Sequence, residues 1–204
     1  MATKLGLYNG ALREINQRKL ASLTEPREPR YALDDVYDDA IQHCLEQGQW
    51  KFAIRSVEIA ASTSIDPVFG FANAFERPAD WLRTAAICEN DRFEPPLDRY
   101  LDESGYWFAD VNPIYVRFVS CDDQYGLDLS AWPSLFTRYV EIYLASRIAG
   151  QITNSSDLVD RLEKRARQAK TEAASNDAMN GPAGRIPAGS WALSRGGSRS
   201  DRGR

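Results

Sequence analysis

WPSLFTRYVEIYLASRIAGQI, residues 132–152, is the longest strongly apolar periodic run in the chain. Leu135, Phe136, Tyr139, Val140, Tyr143, Leu144, Ile148 and Ile152 recur at steps of three and four, the spacing that gathers side chains on one face of an α-helix. Ile142 and Ala145 widen that face, which predicts a helix buried on more than one side. Pro133 falls where a first-turn proline is tolerated, because the N–H it lacks has no intrahelical partner there. Gly150 and Asn154 mark the end. The run is too short and too charged, with Arg138, Glu141 and Arg147, to cross a membrane. It reads as the central core helix of a folded domain, spanning about 132–151.

Working outward, Leu5, Tyr8, Leu12 and Ile15 keep helical spacing after Thr3, a plausible N-cap, and predict a first helix over about 4–21. Pro26 and Pro29 in EPREPR stop it. A second helix follows over about 31–47, with Leu33, Val36, Tyr37, Ala40, Ile41, Cys44 and Leu45 on its apolar stripe. Asp34, Asp35, Asp38 and Asp39 load its first turns with negative charge, favourable at the positive end of the helix dipole. Gly48 suits its C-terminal end. On the other side of the central helix, Asn154–Asp157 opens a last helix over about 155–177. Leu158, Leu162, Ala166, Ala169 and Ala173 form its packing stripe, small enough for a close approach. Asp160 and Lys164 are in the favourable i,i+4 order. Arg161, Lys164, Arg165, Arg167 and Lys170 make its remaining surface basic.

The middle, about 50–123, has a different character. Trp50, Phe52 and Ile54 alternate with Lys51, Ala53 and Arg55, as in a strand. Residues 62–77 read as a loop bearing Phe69, Phe71 and Phe75, which either cap the core or meet a partner. Residues 81–88 fit a strand or a short helix. Short strands follow at 98–101, 106–109 and 115–119, with Glu103-Ser104-Gly105 as a hairpin turn. The predicted fold is α+β, mainly α: a four-helix bundle with an antiparallel β-rich insertion between helices 2 and 3, comprising residues 1–177, and an extended C-terminal tail, 178–204.

Charge divides the chain the same way. The net charge is −4, which makes no general case for nucleic-acid binding. Residues 178–204 carry five Arg and one Asp, so the remainder holds 20 basic against 28 acidic residues. A Gly/Ser/Arg-rich tail without periodicity cannot build a core of its own. Arg185, Trp191, Arg195, Arg199, Arg202 and Arg204 are its docking candidates, since Trp and Arg commonly dominate interfaces. The basic last helix could face water, a neighbouring subunit or nucleic acid, and Asp34, Asp35, Asp38, Asp39, Arg161, Lys164, Arg165 and Arg167 are the candidates for contact between subunits.

No catalytic signature stands out: no phosphate-cradling Gly-rich loop with Lys, no paired His at metal spacing, no nucleophile elbow. Neither a cofactor nor a metal site is expected. His43 is the lone histidine. It points about 100° away from Cys44 on a helix, a poor arrangement for joint ligation, and reads as structural or solvent-facing. Cys44, Cys88 and Cys121 are few and widely spaced, which predicts buried free thiols in a reducing compartment. Residues 1–10 are too polar for a signal peptide, so synthesis and assembly in a cytoplasm are expected.

The order of these parts carries a resemblance. Two helices lead into ALDDVYDDAIQHCLEQGQWKFAIRSVEI (32–59), followed by ERPADWLRTAAI (76–87), YLDESGYWFADVNPIYVRFV (100–119) and LDLSAWPSLFTRYVEIYLASRIAGQIT (127–153). Over about 1–177 this resembles the head-to-tail adaptor (connector) proteins of tailed bacteriophages, the family that includes the tail tubular protein A of podoviruses. The most specific parts are Gly48–Phe52, Pro78–Leu82 and Pro133–Phe136. The resemblance implies a structural virion protein without enzymatic activity, at the neck between head and tail. It implies a ring of about twelve copies beneath the portal protein that lengthens the channel for genomic DNA during ejection and offers a platform to the downstream nozzle or stopper protein. It further implies that the C-terminal segment grips the portal. A ring requires two different complementary surfaces on each copy, and the acidic second and basic fourth helices offer opposite charges. Two other readings stay open: a tail-associated cell-wall or polysaccharide hydrolase, resting on carboxylates and aromatics alone, and a small helical binding module whose basic tail holds nucleic acid.

Overall fold

A computed structural model describes residues 1–67 and 70–180. Over these residues the architecture is α+β, with four α-helices and two small antiparallel sheets. The helices are α1 (Lys4–Glu14), α2 (Glu28–Glu46), α3 (Ser134–Thr153) and α4 (Ser156–Met179). Between α2 and α3 lie β1 (Ile54–Ile59), β2 (Asn73–Glu76), β3 (Trp81–Cys88), β4 (Leu101–Glu103), β5 (Tyr106–Ala109) and β6 (Ile114–Ser120).

The 132–152 stretch forms the hub. α3 buries Phe136, Tyr139, Val140, Ile142, Leu144, Ala145, Ile148 and Ala149, and α1, α2 and α4 each lie against it. Pro133 is its N-cap residue, and Asn154, in the left-handed region at φ 50°, ends it. Gly150, expected to mark the end, lies inside the last turns. α4 starts at an N-cap Ser155 whose hydroxyl accepts from the Leu158 N–H. It buries Leu162, Ala166, Ala169 and Ala173, and its contact with α3 is the most extensive between any two elements. Small side chains bring the two backbones close.

Two helix boundaries differ from expectation. α1 is capped by Thr3 as predicted, but it ends at Glu14 rather than near 21. Asn16 turns the chain at φ 56°. The Asn9 side chain then holds Leu20 at both polar groups, accepting from its N–H at 2.7 Å and donating to its carbonyl at 3.2 Å. A continued helix would carry Leu20 away from α1; folding back buries both Ile15 and Leu20. α2 begins earlier than predicted, at Glu28, because Pro29 sits in the first turn, where its missing N–H costs nothing.

The strand expected at Trp50 is instead a single 3-10 turn, Lys51–Ala53, and β1 begins only at Ile54. The Trp50 indole is drawn inward to donate to the Cys44 carbonyl at 3.0 Å, completely buried. It packs on Phe136 with ring centroids 4.8 Å apart; Phe52 lies 4.8 Å and Trp132 4.9 Å from the same ring. A Cβ on Gly48 would come within 2.8 Å of the Trp50 ring. The 48–52 and 132–136 segments therefore build one aromatic cluster at the seam between the helices and the sheets.

The insertion makes two three-stranded sheets, ordered β1-β6-β3 and β2-β5-β4. Residues 81–88 are a strand, paired with β6. The stretch expected to be a loop at 62–77 contains β2, paired with β5, and the strand expected at 98–101 lies instead at 101–103. Ser104 and Gly105, at φ 52° and 88°, form the tight turn of the β4–β5 hairpin. Phe75, Trp107 and Ala109 of one sheet meet Ile87, Ile114, Val116 and Phe118 of the other in a second apolar cluster. β6 divides the two interiors: Phe118 belongs to this cluster, while Val119 joins the helical core. Thr84 ties the sheets by polar contact, its hydroxyl accepting from both Trp81 and Trp107 and donating to Asp102. Arg77 pairs with Asp102 and lies over the Trp81 ring.

Candidate functional site

The acidic quartet of α2 divides in two. Asp34 is engaged within the fold: it accepts from the Tyr8 hydroxyl at 2.6 Å and from Arg30, with Lys4 nearby. Burial, followed by the Asp34 carboxylate, pushes the Tyr8 hydroxyl pKa well up, so it stays a proton donor. Asp35, Asp38 and Asp39 are exposed on the outer face. From Tyr31 to Glu46 the helix holds no Lys or Arg, so these charges are unopposed along their own helix.

The basic residues of α4 divide likewise. Arg165 is half-buried and pairs with Glu14 at the end of α1. Arg161, Lys164 and Arg167 are exposed. The expected Asp160–Lys164 ion pair is not formed; the ion pair along this helix is Glu163–Arg167, at 3.4 Å and largely solvated, which contributes little to stability.

A cleft of about 520 Å³ opens between α2, α3 and α4. His43 lines it and stacks on Tyr143 of α3, ring centroids 4.7 Å and planes 11° apart. His43 is thus a packed ring, half-buried at the edge of the cleft, as the structural reading has it, and among the described residues no His/Cys/Asp/Glu group could hold a metal ion. Arg147 comes to the cleft from α3, and Arg167 and Lys170 from α4, against one carboxylate, Glu163. Lys170 donates to the Gln47 side chain at 2.9 Å, tying the end of α2 to α4. Arg147 has no ion pair among the described residues.

At the far end of α4 a reciprocal clamp fixes the helix. The Asp177 carboxylate, nine-tenths buried, accepts from the Lys51 N–H that opens the 3-10 turn, with its two oxygens at 3.3 and 3.2 Å. The Lys51 ammonium donates to the carbonyls of Asp177 and Ala178 at 2.6 and 3.1 Å. An anion at the start of one helical turn and a cation at the end of another are each placed where the peptide dipoles favour them. The last described residues are thereby pinned beside the 48–52 segment. Arg185, Trp191, Arg195, Arg199, Arg202 and Arg204 lie outside the described residues, as does Phe69.

The other loop aromatics separate. Phe75 is fully buried in β2, part of the sheet core rather than a surface contact. Phe71 is half-buried beneath the Arg99 guanidinium, 5.3 Å from the ring centre. A further staple holds the 76–87 segment. Asp80 accepts from Arg55 at 2.8 Å and from the Ser120 hydroxyl, joining the start of β3 to the end of β6. Burial raises the Asp80 pKa, but the hydrogen bonds from Ser120 and Arg55 outweigh it and hold the carboxyl below the ordinary range. Cys44 and Cys88 are buried free thiols and Cys121 is half-buried; burial pushes Cys44 up to about 12, against a weaker pull from Tyr139. Among the described residues no helix is long and apolar enough to cross a membrane.

The His43–Tyr143 stack, the place of Arg147 and the Lys51–Asp177 clamp escape sequence reasoning, because each joins residues far apart in the chain. No protein-family model matches this sequence, and no curated protein matches it either.

Proposed function

We propose that this chain is a structural adaptor at the head-to-tail junction of a tailed bacteriophage virion. Copies form a ring of about twelve beneath the portal, closed by heterologous contacts. The four helices act as one bundle that packs copy against copy, and the sheets face a neighbour or the downstream tail protein. DNA passes through without sequence-specific binding, and the body's negative charge keeps it from adhering. The tail, with Trp191 and its arginines, grips the portal.

One observation carries the reading. The most specific parts of the resemblance, 48–52, 78–82 and 133–136, each supply a fold-determining junction: the Trp50–Phe136 cluster, the Asp80–Arg55 staple and the start of the hub helix. A likeness held in the residues that set the architecture supports a shared architecture. The Lys51–Asp177 clamp adds support for a docking arm, since it anchors the chain immediately before the tail.

The test is the mass of the purified full chain, alone and mixed with candidate portal complexes, by native mass spectrometry or light scattering. Addition to the portal in about twelve copies is expected. A chain that ignores every portal refutes the adaptor reading. A chain lacking 178–204 that binds portal as well as the full chain refutes the role of the tail alone.

A further inference from the structure

We infer that the cleft between α2, α3 and α4 receives the acidic outer face of α2 from a second copy of this chain. This rests on the adaptor reading only for the expectation that copies meet head to tail.

The cleft presents Arg147, Arg167 and Lys170 around the Tyr143–His43 stack, with Glu163 as its one acidic lining residue among the described residues. A volume of about 520 Å³ exceeds what a bound ion needs and suits a few protruding side chains. The matching surface is on the same molecule. Asp35, Asp38 and Asp39 stand exposed on one stripe of α2, a helix with no Lys or Arg from residue 31 to 46. Asp35 and Asp39 are four residues apart and Asp38 three from Asp35, so Asp35 neighbours both, with Asp38 and Asp39 splayed to either side of it about 100° apart. Asp35 and Asp38 lie about 80° and 140° around the helix from His43, while Asp39 stands one turn below it; His43 and Gln47 border the cleft. Asp35 and Asp38 therefore point away from their own cleft, none of the three carboxylates lines it, and a second copy must supply the stripe. Arg147, which has no ion pair among the described residues, is placed to bind such a carboxylate. Arg167 exchanges a solvated pair with Glu163 for one in the cleft, where partial exclusion of water strengthens the attraction. The cleft's apolar surface at Tyr143 and Val159 supplies area to cover.

Charge reversal tests this with its own folding control. One variant carries Arg147→Glu and Arg167→Glu; the other carries Asp35→Lys, Asp38→Lys and Asp39→Lys. All five positions are exposed, so both variants should keep the wild-type unfolding temperature. The wild type should self-associate by sedimentation, about tenfold more weakly at 0.5 M than at 0.05 M salt, because screening shortens the reach of charge. Each variant alone should lose association by at least about tenfold. Mixed in equal amounts they should recover it, since each reversed surface then meets its opposite on the other variant. The inference is overturned by a wild type that stays monomeric at low salt, by variants that associate unchanged, or by a mixture of folded variants that does not recover. These outcomes are separable from the adaptor reading. A chain that joins portal normally with its cleft charges reversed sinks the cleft and leaves the adaptor. A charge-dependent closed pair supports the cleft and counts against the ring.

Discussion

Gly126→Ala and Gly150→Ala make the same chemical change and should have opposite signs. Gly126 follows β6 in the turn leading to α3. A Cβ there would sit 2.2 Å from the Ser120 carbonyl oxygen and 3.0 Å from Leu45 Cδ1. Relief to a van der Waals separation of about 3.5 Å means moving backbone against backbone by about 1.3 Å. The Leu45 methyl can rotate away; the Ser120 carbonyl is fixed at the end of a central strand. The same movement disturbs the bond from the buried Trp132 indole to the Gly126 carbonyl, 2.9 Å long. Overpacking of this kind costs about 1–3 kcal/mol and the strained hydrogen bond about 1 more. We expect a loss of about 3 kcal/mol. At about 2–4 °C per kcal/mol for a domain of this size, Tm should fall by about 6–12 °C. Gly150 is exposed, within α3, and its Cβ would meet only Val159 Cγ2 at 3.8 Å. There alanine removes the helical penalty of glycine, up to about 1 kcal/mol, and Tm should rise by about 1–3 °C. Urea unfolding and calorimetry on both variants decide the matter. Equal effects of either sign would show that the close approach at Gly126 is not a constraint.

Asp177→Ala leaves the Lys51 backbone N–H without its carboxylate acceptor; a loss of about 2 kcal/mol is expected from a charge-assisted bond in a largely buried place, with faster hydrogen exchange in the last turns of α4, and unchanged exchange there would count against the clamp. Asp80 has a folded pKa below its unfolded one, so its contribution is present above about pH 4 and is lost as pH falls through the folded value. Asp80→Asn should therefore cost about 2 kcal/mol at pH 7, and the gap to wild type should close in acid; a gap constant with pH would refute the assignment. Glu141 has the opposite sign: burial raises its pKa, with Arg13 pulling back and Glu14 adding to the rise. Stability tied to its protonated form is complete below about pH 4 and lost as pH rises through the raised folded value, so Glu141→Gln should be more stable than wild type at pH 7 and equal to it near pH 3, measured by urea titration. A loss of stability at pH 7 would mean that the exposed Arg13 pair outweighs burial.

The sequence by itself determined the helices that carry an apolar stripe, the place of the hub at 132–152, the Thr3 cap, the opening of the last helix within 154–157 and the Ser104–Gly105 hairpin; of its two stop signals for the hub, Gly150 and Asn154, the second is the one used. These are local: spacing, side-chain caps and backbone freedom act within a few residues, so the residues that cause the structure stand beside it. The tertiary structure decided the rest. α1 stops at Glu14 because Asn9 captures Leu20, and Trp50 leaves the strand pattern because its indole finds the Cys44 carbonyl. Phe75 looks like a loop aromatic until β5 pairs with its strand. Likewise, Asp34 and Arg165 look like members of surface charge runs until Tyr8, Arg30 and Glu14 are brought to them. The cleft at His43 joins three helices, and the clamp at Asp177 closes across a separation of 126 residues. Pairing, capture and burial are properties of two segments at once. A pattern along one segment carries the tendency of each side chain but not the identity of the group that will meet it.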